Sequence, residues 1–239
     1  MEGIAQPVID GEDVSYVPVP LEYERLPVAE SIARSEAFLA TMRRRRTVRM
    51  FSSEPVPIEI IENAVAAAGT APSGANQQPW TFVVVSDPAL KRRMRDAAEV
   101  EERDFYAHHI SPDWRAALAP LGTDVNKPHL TDAPYIVVAF GHAYGLEQMP
   151  DGSERQHKHY YMQESVGIAV GFFLASITHA GLVSLTHTPS PMAFLAELLG
   201  RPRNERAYVV LPVGYPAANA TIPQHALEKK PLDTILVRR

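Results

Sequence analysis

Apolar and polar positions along this chain fall into two periods, and the helices and strands they predict follow one another in an α+β order. From Pro27 to Arg44, Val28, Ile32, Phe38, Leu39 and Met42 recur at helical spacing, and the segment ends in a basic run, which predicts an amphipathic helix. A second helix fits Pro57 to Ala68, with Pro57 in its first turn and Gly69 as its stop. Runs rich in β-branched residues at Thr81–Val85, Ile136–Phe140, Leu182–Thr186 and Tyr208–Val213, each bounded by turn-forming or polar residues, predict core strands. Between them lie a charged helix from Pro88 to His108, a long helix from Tyr161 to Ala180 and a shorter one from Pro191 to Leu199. The regular alternation of a doubly wound fold is missing. Residues 1–26, rich in proline and acidic residues, follow neither period and predict an extended arm, leaving residues 27–239 as a single domain.

The longest apolar stretch, Val166–Ala180, falls short of the roughly 20 residues a membrane span needs and contains Ser176, Thr178 and His179, so it predicts a buried helix. The opening Met1-Glu2-Gly3-Ile4 has neither a basic n-region nor an apolar h-region, so no signal peptide is expected. A net charge of -5 leaves no overall basic field for a polyanion, which argues against nucleic acid as a partner. With no cysteine in the chain, no thiolate can act as nucleophile, metal ligand or electron donor, and any redox chemistry has to come from a cofactor. Neither G-x-G-x-x-G nor the P-loop pattern occurs.

Three segments could carry chemistry. The run Arg43-Arg44-Arg45-Arg46-Thr47-Val48-Arg49 sets guanidinium groups beside a hydroxyl, which suits a phosphate monoester; it equally suits a solvated helix end. The loop Ala71 to Trp80 joins a helix to a strand, and its small residues would let the backbone approach a planar ligand; it also serves as a plain connection. Thr186-His187-Thr188-Pro189 follows a strand, where hydroxyls face a cofactor or simply cap the strand end. His142, His157 and His159 with Glu164 lack metal-site spacing and read as surface histidines, so no metal is expected.

Taken together and in this order, Arg45-Arg46-Thr47-Val48-Arg49, Gly69 to Ala75, Gln78 to Val85, Thr188-Pro189, Leu199-Gly200-Arg201-Pro202 and Leu211 to Pro216 resemble the nitroreductase superfamily, and more narrowly its iodotyrosine deiodinase branch, from Arg43 to Val237. The resemblance implies a nitroreductase-like fold, a central mixed or antiparallel sheet flanked by helices, in an intertwined homodimer with FMN at the interface. It implies that Arg45, Arg46, Thr47 and Arg49 hold the phosphate and ribityl chain, that Ser73 and Gly74 line the flavin, and that Thr186, His187 and Thr188 face it, with the Thr188 hydroxyl on flavin N5. Lys229 stands where the family usually has an arginine, a point charge in place of a planar fork.

Within the lid, about residues 97–130, the resemblance implies a substrate clamp of Glu102, Tyr106 and Lys127. Glu102 and Tyr106 are four apart on the charged helix. Glu102 can accept from an α-ammonium, and Lys127 and the Tyr106 hydroxyl can donate to an α-carboxylate, which suits an amino-acid zwitterion. The Ala75 N–H would bind the phenolate oxygen, and with Thr188 it forms the expected catalytic set. The lid departs from the vertebrate pattern at Asp104-Phe105, His108-His109 and Pro120-Leu121-Gly122. The implied activity is FMN-dependent reductive dehalogenation of halotyrosines, fed by NAD(P)H or a reductase protein. General NAD(P)H-dependent nitroreductase or quinone reductase activity, or a flavoprotein that binds halophenols without turnover, are the competing readings. Without the membrane anchor of the animal enzymes, a soluble bacterial cytoplasmic protein is expected.

Overall fold

The computed structural model of the chain describes residues 16–239, so residues 1–15 of the expected arm lie outside the described part. Two compact units part between Leu39 and Ala40, beyond the boundary that the sequence pattern places after residue 26. In the first, residues 16–27 carry no helix or strand and lead into α1 (Val28–Arg44). The helix forms as its period predicts, but Val28, Ile32, Phe38 and Leu39 are all exposed and α1 buries no residue within the single chain.

The second unit runs through α2 (Ile58–Gly69), β1 (Trp80–Val85), α3 (Pro88–Asp104), α4 (Pro112–Leu118), α5 (His129–Asp132), β2 (Tyr135–His142), β3 (Tyr144–Gln148), β4 (Glu154–Lys158), α6 (Met162–His179), β5 (Val183–Ser184), α7 (Ala193–Leu198), β6 (Glu205–Gly214) and α8 (Leu232–Ile235). Its sheet has the order β1-β2-β6-β5 with every pair antiparallel. Alternate residues of β2 and β6 point to opposite faces, and both faces are covered. Val137, Ala139, Val209, Leu211 and Val213 pack with Ile61 and Ala64 of α2 and Phe173 and Ile177 of α6. On the other face, Ile136, Val138, Phe140 and Val210 pack with Met94 and Ala98 of α3, Leu130 of α5 and Leu195 of α7. Burial on both sides is why these strands read as continuous apolar runs.

The strand expected at Leu182–Thr186 is shortened to Val183–Ser184, yet its register persists. Ser184 pairs with Val213, and His187 pairs with Val210 as an isolated bridge, so the segment carrying Thr186–Thr188 continues along β6. On the outer side of β5 a parallel bridge joins Thr47 to Ser184, and Val48 N–H donates to the Ser184 carbonyl at 3.1 Å. This fixes the arginine-rich segment against the sheet edge.

The β3–β4 hairpin was not predicted, because Glu154–Lys158 is polar and exposed throughout and offers no apolar alternation. Nor was α4, although Ser111 caps it by accepting from Trp114 N–H at 3.2 Å and Pro112 opens its first turn. His142 is not the surface histidine expected from the sequence but a part-buried residue at the end of β2: its Nε2 lies 2.8 Å from the Thr81 hydroxyl, which also donates to Glu205 at 3.0 Å, and Arg201 grips Glu205 at 2.7 and 2.8 Å. This network ties the ends of β1, β2 and β6. Among the described residues no helix is long and apolar enough to cross a membrane.

At the start of α3 the Asp87 carboxylate accepts from Leu90 N–H at 2.6 Å, satisfying one of the donors a helix leaves open. Asp87→Ala is expected to lower stability by about 1 kcal/mol with no effect on ligand affinity. Urea unfolding and ligand titration of the two proteins check this.

Candidate active site

Helix α3 ends in a wide turn, the π-helical segment Phe105–His109, and the chain then returns through α4 to α5. That excursion lies over the Thr186–Thr188 segment beside β6 and encloses a cavity of about 310 Å³. Arg49, Glu102, Tyr106, Lys127, Thr186, His187 and Thr188 all line it. Residues singled out separately in the sequence are thereby brought together by three different parts of the fold.

Its centre is a mostly buried carboxylate. Glu102 Oε2 is 3.2 Å from Lys127 Nζ and Oε1 is 3.1 Å from His187 Nε2, with the three side chains 12%, 4% and 8% exposed. Burial disfavours the Glu102 carboxylate, but the hydrogen bond from His187 and the Lys127 charge outweigh it and hold its pKa below the ordinary glutamate value. Burial likewise holds His187 below the usual histidine range against the pull of Glu102, so the ring is neutral at pH 7 and donates through Nε2. Tyr106, whose pKa burial raises, donates to the Thr123 carbonyl at 3.4 Å.

The chain's return towards α5 is pinned one turn below the carboxylate. Lys127 N–H donates to Glu99 Oε1 at 2.9 Å, while Arg95 holds Glu99 at 2.7 Å and reaches the Thr131 hydroxyl at 3.0 Å. Lys127 Nζ also donates to the Asp124 carbonyl. From α4, Arg115 donates to the Tyr106 carbonyl at 2.6 Å. Sequence reasoning missed Glu99, Arg115 and His129; the Arg95-Glu99-Arg103 spacing of i, i+4 was the available signal for the first.

The remaining expected residues lie elsewhere. Arg45 and Arg46 line a second cavity of about 220 Å³ with Thr178, Gly181 and Ser184. Thr47 borders a third with Gly122 and Thr221, which Arg49 also reaches from the Glu102 cavity. Among the described residues Arg45, Arg46 and Arg49 have no carboxylate partner, and burial pulls the Arg49 pKa down. Cationic groups without an internal counter-charge beside hydroxyls are what a phosphate-bearing cofactor requires. Lys229 is exposed on the C-terminal segment and donates to the Ala226 carbonyl at 2.9 Å.

Ser73, Gly74 and Ala75 line none of these cavities. Their loop is held by Gln78 N–H donating to the Ser73 hydroxyl at 2.9 Å and by Gln77, which bonds Lys158 and Tyr160. Ala75, Asn76 and Gln78 all have φ near +50°, a conformation costing roughly 1–2 kcal/mol per non-glycine residue. Such strain kept on an exposed loop points to a functional requirement on its backbone. Gly74 is needed for space, since a Cβ there would sit 2.6 Å from the Tyr160 carbonyl oxygen.

The model of the nitroreductase family matches residues 42–215. An iodotyrosine deiodinase of Haliscomenobacter hydrossis is 50% identical over 92% of this chain and 96% of its own length. The human iodotyrosine deiodinase 1 is 41% identical over 92% of this chain and 74% of its own length. A crystal structure of oxidized iodotyrosine deiodinase bound to FMN and 3-iodo-L-tyrosine superposes with a TM-score of 0.69 at 31% identity, covering 84% of this chain and 97% of that one.

Proposed function

The chain belongs to the nitroreductase family, and on that premise we propose that it is an FMN-dependent reductive dehalogenase of halotyrosines, acting on 3-iodotyrosine and its bromo and chloro counterparts. The observation that carries this is the buried Lys127–Glu102 pair inside the cavity. A zwitterionic ligand can exchange partners with it: the ligand carboxylate takes Lys127 and the Tyr106 hydroxyl, and the ligand ammonium takes the Glu102 oxygen that Lys127 leaves. Every charge stays paired, so the desolvation that makes a lone buried charge so costly is avoided. A neutral aromatic offers no such exchange.

FMN, when bound, supplies the two electrons. Arg45, Arg46, Thr47 and Arg49 would hold its phosphate and ribityl chain, and Lys229 would add a further cation. Thr188, with Thr186 and His187 beside it, would face the ring system at the flavin N5. In the overall change the aryl carbon–halogen bond breaks, two electrons and one proton are taken up, an aryl C–H bond forms and halide leaves. The Ala75 N–H, presented by the strained loop, would stabilise negative charge on the phenolic oxygen. The two electrons come from an external reductant, NAD(P)H or a reductase protein.

The separation of Ser73–Ala75 from the Glu102 cavity within one chain supports a composite site in a homodimer, each half supplied by a different subunit. The exposed Ile168 and Phe172, one turn apart on α6, give such an assembly an apolar face. The test is anaerobic: the FMN-loaded protein with excess dithionite and 3-iodotyrosine, followed for iodide and tyrosine. Equal release of both is expected. No release with normal reduction of nitroaromatics would make it a general nitroreductase, and tight binding with no release a non-catalytic flavoprotein.

A further inference from the structure

His187 occupies a position that binding of the flavin alone would not explain. Its backbone is fixed to the central strand by two hydrogen bonds with Val210, N–H to O and O to N–H, each 2.8 Å. Its ring is fixed by His129, which meets it edge to face at 5.1 Å between centroids. Held this way, Nε2 reaches Glu102 Oε1 at 3.1 Å, across 85 residues of sequence. Glu102 sits near the end of α3, just before the wide turn that begins the lid. Of the two groups gripping the carboxylate, Lys127 comes from the lid's return and must swing to a ligand carboxylate, whereas His187 belongs to the sheet.

We propose that His187 is a positioning residue for substrate recognition: it holds Glu102 Oε1 fixed to the sheet, so that Oε2 is presented to the ligand ammonium when Lys127 leaves it. This rests on the zwitterion reading of Glu102 given above. A histidine is suited to the task because a donor at the Nε2 position reaches the carboxylate without adding a second full charge that would compete with the ligand ammonium. The groups facing the ring are Glu102, Lys127, Arg49 and His129, and two of them are cations. A lysine or arginine in its place would add a third.

Two substitutions separate the hydrogen bond from mere packing. In His187→Gln the side-chain amide nitrogen can reach the place that Nε2 occupies in the parent, while His187→Asn introduces a shorter amide that reaches only as far as Nδ1. Equilibrium affinities of the oxidised, FMN-loaded proteins for 3-iodotyrosine and for 2-iodophenol, read from the flavin spectrum, give a ratio internal to each protein. His187→Asn is expected to weaken 3-iodotyrosine at least about ten-fold with 2-iodophenol changed less than about two-fold, and His187→Gln to restore the ratio to within about three-fold of the parent. Equal weakening of both ligands by His187→Asn, or no weakening, would overturn the proposal. Glu102→Gln measured alongside separates the two levels: if it too leaves the ratio unchanged, the zwitterion reading falls with the proposal, and if it alone collapses the ratio, only the role of His187 falls.

Discussion

Lys127→Met should lower kcat/KM for 3-iodotyrosine by about 10²- to 10³-fold, from loss of a charge-assisted contact and of an internal counter-charge together. Methionine keeps much of the stem volume, so the effect belongs to the ammonium. In the parent, Nζ is almost fully buried beside Glu102. Without it, Glu102 keeps only the neutral His187 as a donor, and a mostly buried carboxylate that has lost its cation is destabilised by up to about 3 kcal/mol. Two consequences follow for the carboxylate: its pKa rises, and the loop that Lys127 anchors through the Asp124 carbonyl loosens. In the proposed zwitterion clamp both act on the amino-acid part of the ligand. Reduction of a nitroaromatic, which has no zwitterion, should change by less than about three-fold, since the group lost interacts with no part of it. Parallel loss of both activities would place Lys127 in the flavin's support and not in substrate recognition. The double variant Glu102→Gln/Lys127→Met should lose less than the product of the single effects, because the two groups form one network.

That network also measures how much of the site could be read from the chain. Glu102 and Tyr106 were singled out by the family resemblance, and their i, i+4 spacing set them on one helical face; the helix widens at Phe105 and Tyr106 lies in the π turn, so that face does not continue in α form. The 85-residue link from Glu102 to His187 has no local signal at all. It exists because β6 holds residue 187 in register with Val210, and register is a property of paired strands, not of either strand's sequence. The core strands were legible because β2 and β6 are apolar on both faces. β4 was not, since an exposed hairpin needs no apolar residue, and only the Asp151-Gly152 pair marks its turn. The arginine run was legible as a possible phosphate site, but its division between separate cavities depends on the bridge of Thr47 to Ser184 at the sheet edge. Local propensity and spacing thus supplied the parts, while strand pairing and burial decided which of them meet.

Acid should destabilise this protein well before its carboxylates titrate, with His129 as a main cause. The residue is 3% exposed, its Nε2 has no hydrogen-bond partner among the described residues, and burial, followed by coupling to the His187 proton and the charges of Lys127, Arg49 and Arg95, lowers its pKa to about 3. Unfolded, the same ring titrates near 6.5. Between these values the unfolded chain binds a proton that the folded chain does not, so stability falls as pH falls through 6.5 and continues falling until about 3. For this one group the loss between pH 7 and pH 5 is about 2 kcal/mol. His187 and His142, both also lowered by burial, act in the same direction. The carboxylates Glu99, Glu102 and Glu205 have lowered pKa values, so their contributions are lost only below the ordinary glutamate range and steepen the fall there. His129→Phe replaces a neutral ring whose Nε2 is unpartnered with an apolar one, and at pH 7 it should change stability by less than about 1.5 kcal/mol. At pH 5 it should exceed the parent by about 2 kcal/mol relative to that difference, because it has no proton to take up on unfolding. Urea midpoints of the two proteins at fixed FMN concentration, taken every half unit from pH 7.5 to 5, give the comparison. Parallel profiles would mean that His129 binds its proton as readily folded as unfolded, and that the burial seen around it does not persist in solution.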